Sequence, residues 1–166
     1  MNSAQLVENE FSSDKSEGGQ FLTFILDNEE YGVEILRVQE IRGWSKVTPI
    51  PNSPHYLKGV INLRGAIVPI IDLRERFGMD SLEYGITTVV IVLRVENGDE
   101  ERIMGLVVDA VSEVYTLNQS QCQAPPDMGG ETGEKFVKAL ASVDDKMIIL
   151  LDIDTFLNAE VSQTLN

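Results

Sequence analysis

Three stretches in the first half of this chain recur, in the same order, in the second. Phe21–Leu26 matches Thr88–Leu93, Gly32–Ile41 matches Gly105–Val114, and Tyr56–Leu73 matches Phe136–Ile153. The second half is the longer one, with a larger hairpin around Glu96–Arg102 and a larger loop around Ala124–Glu134. A repeat of this kind constrains the fold before any composition is counted, because each copy must be built as the same structural unit. The unit is mostly β. Short β-branched and aromatic runs bounded by turn residues predict strands over Phe21–Leu26, Tyr31–Ile35, Val60–Leu63, Ala66–Leu73, Thr87–Val95, Ile103–Val108 and Met147–Ile153. Asn97-Gly98 predicts a type I′ hairpin turn between two of them. Ile35, Val38 and Ile41 recur every third residue, as do Val108, Val111 and Val114, which predicts one or two helical turns closing a barrel end in each copy.

About five strands in roughly 65 residues cannot cover both faces of a flat sheet, so each copy is expected to close into a small barrel. A core of that size supplies only a few kcal/mol, so the two barrels should pack together, share apolar surface and leave a groove between them. The expected layout is a flexible leader over residues 1–19, duplicated units over about 20–80 and 87–158, and a short polar tail over 159–166, with the exchange of strands between the units left open.

Charge narrows the partners. Thirteen Lys and Arg against 27 Asp and Glu give a net charge of −14, the reverse of a nucleic-acid footprint and unsuited to an anionic membrane. The one cysteine, Cys122, supports neither an internal disulfide nor a thiolate zinc site. Residues 1–10 lack the features of a secretory signal, and no apolar run reaches membrane-spanning length, so a soluble cytoplasmic protein is expected.

Chemistry is hard to find. The one histidine, His55, sits in a turn-rich stretch near Ser53 in no known triad order. Asp144-Asp145 and the pair Asp152 and Asp154 lack the glycine and terminal glutamate of a calcium loop and read as solvated acids. The glycine-rich stretch Gly129–Lys135 fits no phosphate-loop register and reads as a mobile loop. No catalysis, metal or cofactor is expected; the rival class is an enzyme or small-ligand binder using the inter-barrel groove. One positive island stands out in the acidic chain: Arg42, Lys46, Lys58, Arg64, Arg74 and Arg76 against Asp72 and Glu75. It serves either to balance acids of the same chain or to dock an acidic partner. Within it, Gly65 supplies turn geometry and leaves Arg64 projecting from a hairpin near the barrel rim. The second copy has Asp144-Asp145 there, so folding does not demand arginine, whereas Glu40 has an acidic counterpart in Glu113.

Four motifs in order, Val38–Gly43, Lys58–Gly65, Val68–Arg74 and Val107–Val114, resemble the bacterial chemotaxis coupling family, CheW, over roughly residues 18–158. The resemblance implies two SH3-like five-stranded β-barrels packed together, with short helical segments and no catalysis. It implies an adaptor between the cytoplasmic tips of chemoreceptors and the regulatory domain of the histidine kinase CheA, with further CheW copies in rings as another partner. It places Val38, Glu40, Ile41, Arg64, Gly65 and Val111 on receptor and kinase coupling motifs, and Pro126, Asp127 and Met128 on a second kinase or ring contact. Gln123 and Met128 depart from the family, standing where a member has an arginine and an aromatic. A coupling protein of a non-chemotactic pathway, serving surface motility or a second messenger, is the alternative within the same class.

Overall fold

A computed structural model of the chain describes residues 19–126 and 136–158. Eleven strands fall within these residues: β1 (Gly19–Leu26), β2 (Glu29–Glu34), β3 (Val38–Gly43), β4 (Leu57–Leu63), β5 (Ala66–Asp72), β6 (Val89–Asn97), β7 (Glu100–Val108), β8 (Ala110–Leu117), β9 (Cys122–Gln123), β10 (Val137–Val143) and β11 (Lys146–Leu151). A single helical turn, α1 (Leu73–Arg76), comes after β5, and a helix over residues 153–158 comes after β11. Gly19 already belongs to β1 rather than to a leader; residues 1–18 and 159–166 lie outside the described residues.

The strands form two sheets in the orders β3-β6-β7-β5-β4 and β8-β1-β2-β11-β10-β9. Each sheet therefore takes strands from both halves. Hairpin β1-β2 leaves the first half and enters the second sheet, pairing with β8 on one side and in parallel with β11 on the other. Hairpin β6-β7 makes the reciprocal move, pairing with β3 and in parallel with β5. Both sheets close the same way. After β3 the chain returns to β4 through an isolated bridge, Thr48 to Val60, with N–H···O distances of 3.0 and 2.9 Å. After β8 the two-residue strand β9 returns to β10. That returning strand is the sixth in what the sequence predicts as a five-stranded unit.

The apolar core has three parts. Leu63, Val68, Ile70, Val90, Val92 and Val107 cluster on one face of the first sheet, and Leu117, Ala141, Ile148 and Leu150 on one face of the second. Between the sheets lies the largest cluster, drawn from both halves and including Phe24, Tyr31, Ile71, Leu93, Leu106, Leu151, Phe156 and Leu157. Strand β6 serves two of them, Val90 and Val92 one way and Ile91, Leu93 and Val95 the other. Burial on both faces explains its unbroken apolar run.

Two sequence expectations are corrected. The three-residue spacing of Ile35, Val38 and Ile41 is helical only at its start: Ile35–Arg37 is one 3-10 turn, but Val38–Gly43 is a strand with alternating exposure. The pairing of β3 with β6 slips between Val38 and Glu40, and that of β8 with β1 slips between Val111 and Val114. An extra bulged residue in each strand stretches a two-residue period to three, which mimics a helix. The β6-β7 hairpin exists, but its turn is Gly98-Asp99, because Asn97 pairs directly with Glu100. Only Gly98 of the two has positive φ, the pattern of a type II′ turn. Type I′ geometry appears instead where both turn residues have positive φ: Asp27-Asn28, Arg64-Gly65 and Asp144-Asp145.

One buried carboxylate marks the second sheet. Glu30 accepts from Thr23 Oγ1 at 2.7 Å and from Lys146 Nζ at 3.1 Å, and Lys146 also lies 5.5 Å above the Tyr115 ring. Burial alone would raise the Glu30 carboxyl, but hydrogen bonds from Thr23, Lys146 and Ser112 outweigh it and hold it below its usual value. A depressed carboxyl adds stability above its unfolded pKa of about 4.3 and loses it as the pH falls through the folded value. The thermal midpoint should therefore drop steeply below about pH 4. A Glu30→Gln protein should show a shallower acid limb in melts at stepped pH; an unchanged slope would clear Glu30 of that role.

Candidate functional site: a docking face around Glu40 and Arg64

The tip of the β4-β5 hairpin is a two-residue turn in which Arg64 has φ 50° and Gly65 φ 92°. Asn62 closes it by accepting from the Gly65 N–H at 2.9 Å. Arg64 is thrown outward, its side chain 67% exposed, and reaches across to β3, where Nη2 donates to Glu40 Oε1 at 2.8 Å. Arg42 Nη1 donates to the other oxygen, Glu40 Oε2, at 3.4 Å. The Arg64 hydrogen bond holds the Glu40 carboxyl below its ordinary value. The structure thus brings Glu40, Arg64 and Gly65 into one cluster. Ile41 and Ile67 flank it in sequence as exposed apolar side chains, 43% and 63% exposed.

The other predicted site residues lie elsewhere. Val38, at the start of β3, is half-buried against the central core. Val111 lies on β8 of the second sheet, opposite Phe24, and packs on the same central core; it is not part of the Glu40–Arg64 cluster. Pro126 is exposed, and Gln123 is exposed on β9 opposite Leu140. Asp127 and Met128, like the loop of residues 129–135, lie outside the described residues.

The positive island is largely spent within the chain. Lys58 bonds Glu75 at 3.0 Å, and Arg74 bonds Asp109 at 3.0 Å and Asp27 at 3.2 Å. Arg76 lies 5.3–5.8 Å above the rings of Tyr56, Phe136 and Phe156. Of the ion-paired members Arg64 is the most exposed to a partner, and Lys46 is exposed as well. His55 is exposed and stacks edge-on against Tyr56, while Ser53 Oγ donates to the Ile50 carbonyl at 2.7 Å. Among the described residues no three acids, histidines or cysteines are grouped to hold a metal ion.

Sequence reasoning missed one cluster by taking its acids as solvated. Asp152 caps the helix after it, accepting from the Thr155 N–H at 3.2 Å. Asp154 takes both ends of the Arg37 guanidinium, at 2.8 and 2.7 Å, and the Glu96 N–H at 2.8 Å. Burial works against the charged carboxyl of Asp154, but those bonds overcome it and hold the group below its usual value. The available signal was positional. Asp154 matches Arg74 of the first copy, and Arg74 makes a similar pair, with reversed sign, to Asp109, one residue before the position that matches Arg37.

Residues 20–161 match the CheW-like domain family, a span that takes in nearly all of both sheets. The chain belongs to that family. It is 46% identical over 143 residues to the chemotaxis protein CheW of Klebsiella aerogenes, covering 86% of this chain and 84% of that protein. It is 37% identical to the chemotaxis protein CheW of Rhizobium meliloti, covering 86% and 90%. The crystal structure of the scaffolding protein TtCheW from Thermoanaerobacter tengcongensis superposes with a TM-score of 0.73 at 34% identity, over 82% of this chain and 85% of that one. As a CheW-like chain it has the two-sheet, nearly all-β architecture of that family.

Proposed function

We propose that this chain is a non-enzymatic adaptor of bacterial chemotaxis, coupling chemoreceptors to the histidine kinase CheA. The observation that carries the reading is the extent of the likeness to chemotaxis proteins: it runs through both sheets, so the whole folded body is shared rather than one motif. Such a protein acts by geometry. It presents surfaces to a receptor's cytoplasmic tip and to the kinase's regulatory domain, and receptor conformation then biases the kinase between active and inactive populations. It works in the cytoplasm, held at receptor arrays by its partners; among the described residues no helix is long and apolar enough to cross a membrane.

The docking residues are Val38, Glu40 and Ile41 of β3 with Arg64 and Gly65 of the β4-β5 tip, and Val111 of the second sheet. Pro126, Asp127 and Met128 form a second contact, to the kinase or to another copy in a ring. An exposed arginine already bonded to a carboxylate is suited to this, because a partner acid that excludes water strengthens the pair it joins.

The test is co-sedimentation of a receptor cytoplasmic fragment with CheA, with and without this protein, followed by kinase assay. Recruitment and stimulation only in its presence are expected, and equal kinase recruitment without it would refute the reading. Arg64→Ala should weaken partner binding by about 2–5 kcal/mol while leaving the melt near that of the parent, since exposed ion pairs contribute little to folding. Glu40→Lys should abolish coupling. Parent-like affinity of Arg64→Ala in titration calorimetry would remove Arg64 from the site.

A further inference from the structure

Arg37 is the last residue of the 3-10 turn by which the chain leaves β2 in the second sheet and enters β3 in the first. Its guanidinium is 19% exposed and fully engaged. Besides the two bonds to Asp154, Nη1 donates to the Arg94 carbonyl at 3.1 Å, Nη2 lies 3.5 Å from Glu96, and Nε lies 3.9 Å from Glu34. Asp154 is anchored in turn. It belongs to the helix over residues 153–158, whose Ile153, Phe156 and Leu157 are buried in the central core. Farther along that helix, Asn158 Nδ2 donates to the Glu96 carbonyl at 2.8 Å. One ion pair thus joins the crossover into β3, the end of β6 and the last described helix.

The docking strand begins immediately after Arg37, at Val38. The β3-β6 ladder is interrupted between Val38 and Glu40, so the hydrogen-bond register beyond the bulge does not by itself fix where the strand begins. On that side of the bulge the ladder keeps one pair, Val38 with Leu93, and Arg37 next to it adds the side-chain tie to Asp154. We infer that Arg37 is a positioning residue: through Asp154 it holds the start of β3 so that Glu40 meets Arg64, and the helix over 153–158 is thereby coupled to the docking face. The inference rests on the reading of β3 as a docking strand. Arg37 is not itself a contact, because its donors face inward to groups of its own chain.

A double-mutant cycle in the full-length protein separates the two roles. Arg37→Ala and Asp154→Ala should each weaken binding of the CheA regulatory domain about tenfold, and the double variant should be no weaker than either, since both remove one coupling. Arg37→Lys should retain part of the affinity. Parent-like binding by Asp154→Ala, or losses that multiply in the double variant, would overturn the inference and make Arg37 a direct contact. Hydrogen exchange gives a readout independent of any partner: Asp154→Ala should raise the exchange rates of amides in 38–43 while those of β10 stay protected. Unchanged exchange there would also overturn it. If the parent protein binds neither kinase domain nor receptor fragment, the adaptor reading fails, and the exchange result still decides the positioning role.

Discussion

Gly59→Ala is expected to cost about 3–5 kcal/mol of stability and to lower the thermal midpoint by roughly ten degrees. Gly59 has φ 147°, in the region open mainly to glycine, and a Cβ built on it would lie 2.2 Å from the Thr48 carbonyl oxygen. That oxygen accepts from Val60 in the bridge that closes the first sheet, so neither side can give way without opening the closure. Backbone strain and a clash with a fixed backbone atom add up, and no flexible side chain is available to absorb them. The matching residue of the second copy is Ala139, so the duplicated unit does not need glycine there in general; it needs it where Thr48 approaches. Urea unfolding would check this. A loss under about 1 kcal/mol would mean that the Thr48 bridge is readily displaced.

The second large effect concerns the exchanged hairpins. A chain cut between residues 80 and 81 should give two fragments that do not fold alone but regain a cooperative melt when mixed, with a midpoint that rises with concentration. The first fragment lacks β6 and β7, the centre of its own sheet, and the second lacks β1 and β2. The duplication suggests an escape, in which hairpin β1-β2 folds back into the place of β6-β7. Charge closes that route. Glu30 and Thr23 would occupy the places of Ile103 and Val90, beside the cluster of Leu63, Val68 and Ile70, and the residue matching Lys146 there is Ala66. A buried carboxylate would be left without its cation, at a cost of several kcal/mol. Circular dichroism of the separate fragments is the check. A sharp melt of the first fragment alone would show that the folded-back arrangement is viable.

The same residues explain what was legible in the sequence. The repeat and the strands could be read because burial on one face leaves a two-residue apolar period, and in β6 burial on both faces leaves a continuous run. The exchange between halves could not be read that way. Exchanged and unexchanged sheets have nearly the same apolar pattern, and only sparse pairs such as Glu30 with Lys146 and Arg37 with Asp154 tell them apart. The bulges in β3 and β8 defeated a reading by period, since one extra residue imitates a helix. At the docking face, Gly65 after an apolar run announced the turn that exposes Arg64. The reach from Arg64 to Glu40 depends on how the β4-β5 tip leans over β3, a tertiary fact with no local signature. Asp154 was misread because an acid beside a strand end is usually solvated, and its partner lies 117 residues away.

The distance between partners also bears on how the chain is made. The salt bridge that seats the first hairpin spans 116 residues, from Glu30 to Lys146. At ribosomal elongation rates of about 5–20 residues per second, β1 and β2 wait roughly 6–23 seconds after emerging before β11 exists to receive them. During that wait Phe24, Tyr31 and Val33 have no lasting cover, and the edges of the hairpin are open to any passing strand. The nascent chain is therefore most in need of a chaperone before β11 has been translated.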